Sequence, residues 1–253
     1  MDPDPTQRFS SRVDNYARYR PSYPQEIVRL LADECKLNGD SVIADIGSGT
    51  GLLAKLFLDF GCRVIGIEPN ANMRDTGDQF LKGYEKFASV DARAEHTGLK
   101  DASVDFVIAG QAFHWFDAAA ARREFHRILR GPRWVVLIWN EREVPEHGFL
   151  RGYEDLLIRY ATDYGRVDHR RIDTREINAF FTHGDWRLAT FSNAQQLDWD
   201  GLRGRLESSS YAPQSDDPAY QPMMAELEQL FQMHQVNETV PFTYETKVYC
   251  GCL

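Results

Sequence analysis

The chain has 253 residues, of which 43% are hydrophobic and 26% charged, the balance of a soluble globular protein with a sizeable core. No run approaches the roughly 18 apolar residues of a membrane span, and the net charge of −9 argues against non-specific binding of nucleic acid. The N-terminus lacks the apolar core of a secretory signal, and four scattered cysteines form no disulfide framework, so we predict a reduced, cytoplasmic protein.

Short apolar runs alternate with amphipathic stretches along the first part of the chain. We predict helices after a capping box at Ser22 and over 52–60, 71–81 and 118–129, and strands over 41–46, 63–68, 86–90, 104–109 and 134–139. Because these strands are almost continuously apolar, their sheet is expected to be parallel and covered by helices on both faces. The predicted fold class is α/β, with a Rossmann-like doubly wound sheet.

The regular alternation of predicted strands and helices ends after Asn140. An amphipathic stripe covers 149–160, the stretch 187–197 is predicted to be a strand, and helices are predicted at 200–208 and 223–233. The final segment, 242–250, alternates as a half-exposed antiparallel strand does.

We therefore expect one domain over residues 1–253, with an inserted helical cap and an antiparallel last strand. Its parts are an N-terminal arm and helix at 1–36, a cofactor-binding core at 37–140, a cap at 141–221, and a final helix and strand at 222–253.

The stretch Val42–Gly51 reads VIADIGSGTG and puts three glycines directly after the first strand. Its G-x-G-x-G pattern departs from the nicotinamide fingerprint G-x-G-x-x-G, because Leu52 follows the last glycine. The glycines still permit a tight turn and a close ligand approach at a helix N-terminus. Glu68 ends the second strand, where a carboxylate accepts hydrogen bonds from two ribose hydroxyls, so the sequence predicts an adenosine cofactor.

These residues, together with Ala94-Glu95 and Asp101–Asp105, resemble the motifs of class I S-adenosylmethionine-dependent methyltransferases, in particular the small-molecule type 11 group. Within that group, Gln111–Asp117 (QAFHWFD) and Tyr16–Pro24 (YARYRPSYP) are similar to trans-aconitate-methyltransferase-like bacterial enzymes. The resemblance implies S-adenosyl-L-methionine as cofactor and S-adenosyl-L-homocysteine as the product derived from it.

The resemblance also implies a set of cofactor-binding residues. The methionine part and the ribose would be held by Asp45, Gly47, Ser48, Gly49 and Glu68; the adenine would be flanked by Pro69, Asn70, Met73, Ala94 and Glu95. Many family members carry Asp where this chain has Arg93. Since arginine cannot accept a hydrogen bond, adenine recognition is expected to rest on backbone groups or on Glu95.

Three further residues are expected at the cofactor. Tyr16 and Arg20 precede the first helix, in a segment that folds over the cofactor in relatives, and Arg20 would pair with its carboxylate. Gln111 follows the fourth strand and would hold the cofactor's carboxylate or backbone atoms, with an ordinary strand cap as the alternative.

Methyl transfer from a sulfonium needs aligned partners and little water, and a base only where the acceptor must lose a proton. His114 is the candidate base, with packing beside Trp115 as the alternative, and Trp115 or Phe113 would face the sulfonium or the substrate. The acceptor pocket is predicted to include Trp115, Asn140, Arg142 and Tyr211. Arg142, with Arg203 or Arg205, suits a carboxylate or other anionic metabolite.

Two other functions remain open at this point. One is a non-catalytic protein that binds S-adenosylmethionine or S-adenosylhomocysteine, and the other is a nicotinamide-dependent oxidoreductase, which Leu52 disfavours. No carboxylate cluster has ligand spacing, so no metal site is predicted. The expected partner is a small-molecule methyl acceptor, without nucleic acid or membrane, and the chain is expected to be a monomer or a homodimer.

Overall fold

The computed structural model describes residues 18–162, 164, 174–181 and 185–253. Its strands are β1 Val42–Ile46, β2 Arg63–Ile67, β3 Phe87–Val90, β4 Val104–Gly110, β5 Leu129–Arg142, β6 Trp186–Leu197 and β7 Val240–Cys252. Its helices are α1 Glu26–Cys35, α2 Leu52–Asp59, α3 Ala71–Phe80, α4 Ala118–Ile128, α5 Phe149–Tyr160, α6 Thr174–Phe181, α7 Trp199–Glu207 and α8 Tyr220–His234.

These strands form a single sheet in the order β3-β2-β1-β4-β5-β7-β6. Neighbouring strands from β1 to β5 pair in parallel, whereas β7 is antiparallel to both β5 and β6. Of the helices described, α5 and α6 lie between β5 and β6 in the chain, and α7 and α8 lie between β6 and β7. The predicted α/β fold, with a mostly parallel sheet, an antiparallel last strand and inserted helices, is confirmed.

Each face of the sheet carries its own apolar core, because successive strand residues point to opposite faces. Ile43 of β1 packs in the cluster that contains α1 and α2, while Ala44, the next residue, packs in the cluster that contains α4 and α6. Strand residues in both clusters are almost fully buried, so the strands read as continuous apolar runs rather than alternating ones.

A third cluster joins the cap helices to the sheet. It contains residues of α5, α7 and α8 together with Phe242 and Tyr244, which lie at the start of β7. Strands β5 and β7 pair over their whole common length, from Trp134 opposite Cys252 to Arg142 opposite Tyr244. Helix α8, which packs with the cap helices, begins at Tyr220, so the predicted boundary between residues 221 and 222 falls inside this helix.

The start of α1 differs from the predicted capping box at Ser22. The helix begins at Glu26 after Gln25, which makes no side-chain cap hydrogen bond. A box at Ser22 would make Tyr23 the first helical residue, but the following Pro24 disfavours helical geometry there. The backbone carbonyl of Ser22 instead accepts hydrogen bonds from the side chain of Asn140, at 3.2 Å, and from that of Asn193, at 2.7 Å.

Strand β5 begins five residues earlier than the predicted start at 134. Val104 of β4 pairs with Leu129 and Phe106 pairs with Trp134, so the intervening residues of β5 bulge out of the ladder. Gly131 and Arg133 adopt positive φ values of 63° and 61° in this bulge. The glycine and proline of the bulge look like a turn in the sequence, which explains the late predicted start.

The four cysteines are free thiols, and the Sγ atoms of Cys35 on α1 and Cys250 on β7 lie 3.5 Å apart. Within the described ranges, none of the helices has the length and apolar character needed to cross a membrane.

Candidate functional site

The glycine-rich loop between β1 and α2 adopts a backbone that other residues avoid. Gly47, Gly49 and Gly51 have φ values of 69°, 54° and 81°. A Cβ atom at Gly47 would lie 2.6 Å from the Cβ of Ala112, which follows β4. The loop therefore approaches the end of β4 more closely than any side chain at Gly47 would permit.

Glu68 directly follows β2 and contacts this loop. Its side chain is buried, and Oε2 accepts a hydrogen bond from the Gly49 amide at 2.9 Å while Oε1 accepts one from the Asn70 amide at 2.8 Å. Burial raises the pKa of Glu68, and the two amide bonds oppose that shift. Each carboxylate oxygen has a second lone pair, so Glu68 can accept further hydrogen bonds from a ligand.

Asp45 lies next to the end of β1 and is only 1% exposed. Neither of its carboxylate oxygens accepts a hydrogen bond of normal geometry from the residues that the structure describes. Burial, and secondarily the charge of Glu68, raises the pKa of Asp45 to about 8. A buried carboxylate without a partner is costly, so this position suits a cationic or hydrogen-bond-donating group of a ligand.

A cleft opens at the carboxyl ends of β1 and β4, where sheets of this kind bind their ligands. It lies between the glycine-rich loop, the strand ends and the segment before α1. Six of the predicted cofactor residues line it: Arg20, Asp45, Gly47, Ser48, Gly49 and Gln111.

Gln111 has a positive φ of 57°, which is uncommon for a residue other than glycine and often marks a functional site. Its Nε2 donates a hydrogen bond of 3.1 Å to the backbone carbonyl of Asn140. Its Oε1 is buried and has no hydrogen-bond partner among the described residues. Gln111 therefore offers the cleft a fixed acceptor atom rather than acting only as a strand cap.

The segment before α1 closes one side of the cleft, and we call its described part, residues 18–25, the arm. Arg20 lines the cleft and its Nη2 donates a hydrogen bond of 3.0 Å to the Ser208 carbonyl, beyond α7. The hydroxyl of Tyr23 lies only 2.5 Å from where a Cβ at Gly110 would stand, so the arm needs a glycine there. Tyr16, which was predicted to cover the cofactor, lies outside the described residues.

The residues predicted to flank adenine also support the local fold. Asn70 is the N-cap of α3, and its side chain accepts a hydrogen bond from the Met73 amide at 3.1 Å. The Cε of Met73 lies 3.4 Å from where a Cβ at Gly49 would stand, which puts this side chain against the loop. Pro69 is half-buried between Glu68 and Asn70.

The loop after β3 brings further predicted residues near the start of α4. Ala94 is buried at 5% exposure, and Arg93 is exposed and pairs its backbone with His96. The Glu95 carboxylate accepts a hydrogen bond of 2.9 Å from the Asp117 amide. Glu95 thus has a structural partner at the helix start, and its contact with adenine stays a prediction.

His114 and Trp115 lie on a short 3₁₀ helix, Phe113–Trp115, after β4. Their ring centroids are 4.7 Å apart with an interplanar angle of 49°, and neither residue lines the cleft. Phe113 turns into the core, where its ring centroid is 4.8 Å from that of Phe180. Phe113 therefore does not face a ligand, and a role for His114 as base stays a prediction beside its packing on Trp115.

Asn140, predicted to bind the acceptor, lines the cleft but its side chain is engaged by other elements. Its Oδ1 accepts hydrogen bonds from Thr246 at 2.5 Å and from Asn193 at 3.2 Å. Its Nδ2 donates to the Ser22 carbonyl at 3.2 Å. Asn140 thereby connects β5, β6, β7 and the arm, which makes it a positioning residue in this structure.

Arg142, also predicted to bind the acceptor, is buried in an ion pair with Glu154 of α5. Its Nη2 also donates a hydrogen bond of 2.9 Å to the Tyr164 hydroxyl. The ring of Tyr211 packs against that of Tyr164, with centroids 5.0 Å apart. The charge of Arg142 is therefore compensated by the cap rather than open to an anion.

The other two arginines considered for an anionic acceptor differ in burial. Arg203 is 51% exposed and forms an ion pair with Glu207, its neighbour one turn along α7. Arg205 is buried at 7% exposure. Of the two, only Arg205 faces the interior of the cap.

Three tyrosines near these sites were missed by the sequence analysis. Tyr23 belongs to the motif Tyr16–Pro24, but nothing in the motif indicates its approach to Gly110. Tyr153 and Tyr244 fit apolar periodicities as core residues do, so their pattern gives no signal for the two buried hydroxyls.

Part of the chain is similar to a known type of domain. Residues 44–136 match the family described as "Methyltransferase domain". The matched region runs from β1 into β5 and includes the glycine-rich loop, Glu68, Gln111 and His114.

An uncharacterized methyltransferase from Schizosaccharomyces pombe is 35% identical to this chain over 139 residues, which are 53% of this chain and 53% of the relative. The chain spans about half the length of the first curated relatives it matches.

Solved structures share the fold of the chain. A candidate type II methyltransferase from Anaeromyxobacter dehalogenans is 19% identical with a TM-score of 0.65, covering 92% of this chain and 98% of the other. Phosphoethanolamine N-methyltransferase 2 from Haemonchus contortus, in complex with S-adenosyl-L-methionine, is 14% identical with a TM-score of 0.58, covering 98% of this chain and 58% of the other.

Proposed function

We propose that this protein is an S-adenosyl-L-methionine-dependent methyltransferase that acts on a small-molecule acceptor. The observation that carries the proposal is the buried, unpartnered carboxylate of Asp45 beside the glycine-rich loop and Glu68. These two carboxylates fit the cofactor, since Asp45 suits its amino group and Glu68 suits its ribose hydroxyls. The matched methyltransferase domain and the cofactor in the Haemonchus enzyme support the same assignment.

The other predicted residues have complementary roles in this proposal. Gln111 would hold the cofactor's amino group or backbone atoms through its unpartnered Oε1, and Arg20 would hold its carboxylate. Pro69 and Met73 would pack on the adenine, with Ala94 and Glu95 beyond them.

S-adenosyl-L-methionine supplies an electrophilic methyl group when it is bound. The chain's own residues then have to bind the acceptor, orient it and exclude water. The arm and the cap helices supply the cover. His114 would take the acceptor's proton where the acceptor has one to lose, with Trp115 packed on the imidazole ring.

The subgroup and the acceptor belong to the proposal as well. The motifs QAFHWFD and YARYRPSYP favour a trans-aconitate-methyltransferase-like enzyme, and hence a carboxylate or other anionic acceptor. Small-molecule substrates suit a cleft that is covered by the arm and bordered by a helical cap.

The test is calorimetric titration of the protein with S-adenosyl-L-methionine and S-adenosyl-L-homocysteine, beside the variant Glu68→Ala. We expect micromolar binding to the wild type and a loss of affinity of about 10- to 100-fold in the variant, because hydrogen bonds to a charged acceptor are lost. The matched control is Asp91→Ala, which removes a nearby carboxylate that is 69% exposed, and its affinity should stay within about twofold.

The folded state of each variant is checked by circular dichroism before titration, because Glu68 also accepts hydrogen bonds from two backbone amides. Absence of binding of both compounds to folded wild-type protein would refute the proposed function. Binding of both compounds without turnover of any carboxylate or phenolic acceptor would favour the non-catalytic alternative.

A further inference from the structure

Two buried arginines lie together in the cap, beyond the carboxyl ends of the strands. We define the cap arginine cluster as Arg142, Tyr153, Arg205, Tyr211 and Tyr244. Arg142 stands opposite Tyr244 in the β5–β7 ladder, and Arg205 donates a hydrogen bond of 3.2 Å from Nε to the Tyr244 hydroxyl. The guanidinium groups of Arg142 and Arg205 lie 6.0 Å and 5.4 Å from the centroid of the Phe242 ring, and the centroid of the Tyr153 ring lies 5.0 Å from it, so these side chains share one environment.

Of the two guanidinium groups in this cluster, that of Arg142 has a carboxylate partner among the described residues and that of Arg205 has none. Glu154 pairs with Arg142. Arg205 has no ion-pair partner among the carboxylates that the structure describes: its hydrogen bonds go to the neutral hydroxyls of Tyr244 and Ser209, each at 3.2 Å. Its guanidinium also lies 5.4 Å from the centroid of the Phe242 ring. Counted over the part of the chain that the structure describes, the cluster therefore holds one buried positive charge more than it has anions to match.

A buried charge without an opposite charge is expensive, and neutral hydroxyls compensate it only in part. Tyr153 adds a second unsatisfied group, because its hydroxyl is buried at 1% residue exposure and has no hydrogen-bond partner among the described residues. Burial raises the pKa of Tyr153, so its hydroxyl stays protonated and remains a donor. A buried cation without a described counter-ion and a buried donor without a described acceptor both favour a ligand that is an anionic acceptor of hydrogen bonds.

The cap arginine cluster is connected to the cleft along two routes. Arg142 is two residues beyond Asn140 on β5, a distance of about 7 Å along a strand, and Asn140 lines the cleft. On the other side, Arg20 of the cleft donates to the Ser208 carbonyl, and the Ser208 hydroxyl donates to the Arg205 carbonyl at 2.7 Å. An anion at Arg205 would therefore hold a small molecule next to the cleft.

We propose that Arg205 and Tyr153 bind a carboxylate group of the methyl acceptor, so that the substrate is an acidic small molecule. This inference rests on the proposed function and specifies its acceptor side. Arg205 donates to the carboxylate through its guanidinium, Tyr153 through its hydroxyl, and Arg142 stays paired with Glu154 as part of the wall. Neutral analogues lack the charge that makes up for the cation's lost hydration, so they bind more weakly.

The experiment measures binding of sodium benzoate, succinate and citrate, with benzamide as the neutral counterpart of benzoate. Titrations are done by calorimetry with and without saturating S-adenosyl-L-homocysteine. The variants are Arg205→Gln, Tyr153→Phe and, as a matched control on the same helix, the exposed Arg203→Gln.

We expect at least one carboxylate to bind the wild type, with benzamide at least tenfold weaker than benzoate. Binding should weaken about tenfold or more in Arg205→Gln and about fivefold in Tyr153→Phe, and stay within about twofold in Arg203→Gln. Tyr153→Phe removes only a hydroxyl that has no partner, so the variant folds and keeps the inference testable even where Arg205→Gln does not fold. Affinity for S-adenosyl-L-homocysteine should be unchanged in all three variants.

The titrations distinguish failure of the acidic-acceptor inference from failure of the methyltransferase proposal. If S-adenosyl-L-homocysteine binds but no carboxylate does, the acidic-acceptor inference is overturned and the methyltransferase proposal stands. Equal carboxylate binding by wild type and Tyr153→Phe also overturns it, since the anion then lies elsewhere. Failure of S-adenosyl-L-homocysteine to bind refutes the methyltransferase proposal, whatever the carboxylates do.

Discussion

Asp45 is a buried carboxylate that has no hydrogen-bond donor of normal geometry among the residues described in the structure. The cost of that burial appears in its pKa of about 8, so the folded protein without ligand keeps the group protonated under mildly acidic conditions. In the unfolded chain the same group ionises near its ordinary value of about 3.9. Folding and protonation of Asp45 are therefore linked.

We predict that the ligand-free protein loses stability as the pH rises from 5 to 8. A folded-state pKa raised above the unfolded value stabilises the fold at low pH, and that stabilisation disappears as the pH passes through the folded pKa. The variant Asp45→Asn should flatten this dependence by up to about 1.4 kcal/mol per pH unit. Urea unfolding at pH 5, 6, 7 and 8 measures it.

The control for this pH series is Asp91→Asn, which changes an exposed carboxylate and should keep the slope of the wild type. Glu68 also has a raised pKa and stays in both variants, so some slope remains in Asp45→Asn. Identical slopes for wild type and Asp45→Asn would show that Asp45 is ionised in the folded protein.

Residues at strand ends were the part of the site that the sequence could predict. Asp45, the glycines and Glu68 each follow from a strand boundary and a local motif, and the parallel order brings those boundaries to one edge. The environment of Arg142 could not be predicted, because Glu154 comes from a separate helix whose position depends on packing. The burial of Phe113 could not be predicted either, since the sequence does not tell whether the ring of Phe113 or that of Trp115 enters the core.

At the scale of elements, the long β5–β7 pair supports both the cleft and the cap. Asn140 connects this pair to β6 and to the arm through its side-chain hydrogen bonds. Tyr23 of the arm packs against the core, and the amide of Asn140 joins the arm to the sheet at Ser22.

We predict that Asn140→Ala lowers the free energy of unfolding by about 2 kcal/mol, because it leaves the buried Thr246 hydroxyl without its acceptor and removes one of the two hydrogen bonds to the Ser22 carbonyl. Amide hydrogen exchange of the arm should become faster at the same time. Urea unfolding and exchange measured by mass spectrometry test both effects.

The comparison variant for Asn140 is Asn178→Ala, which removes an exposed hydrogen bond to Trp186 and should cost well under 1 kcal/mol. Unchanged stability and exchange in Asn140→Ala would mean that the arm is held by its other contacts. In that case the side chain of Asn140 would be available to the acceptor, as the sequence analysis expected.

Element types were easier to predict than element ends. The strands and helices of the core follow from apolar periodicity. The start of β5 was predicted too late because the bulge at Gly131 resembles a turn, and the start of α1 was predicted too early because the effect of Pro24 on the capping box at Ser22 was not considered. Both errors arise because a local signal was given more weight than a neighbouring proline or the pairing of a distant strand.

At the scale of the whole molecule, cofactor binding should stabilise the folded chain by mass action. We predict that S-adenosyl-L-homocysteine at about 100 times its Kd raises the free energy of unfolding by about 2.7 kcal/mol. For a chain of this size that corresponds to an increase in Tm of roughly 5–10 °C. Differential scanning fluorimetry or calorimetry measures the shift.

NAD at the same concentration serves as the control and should leave Tm unchanged, as Leu52 in the glycine pattern leads us to expect. A shift with NAD and none with S-adenosyl-L-homocysteine would reverse the choice of cofactor. The variant Glu68→Ala should show a smaller shift than the wild type at equal concentration.

The order of the segments in the chain has a consequence for how such a protein can evolve. The matched region, residues 44–136, ends before α5 begins. The part of the chain that would bind the methyl donor, here called the donor half, and the cap are therefore encoded by different stretches of the gene. A mutation in α5 or α7 changes the proposed acceptor side while the glycine-rich loop is inherited intact. Natural selection can therefore exchange one acceptor for another without rebuilding the donor half.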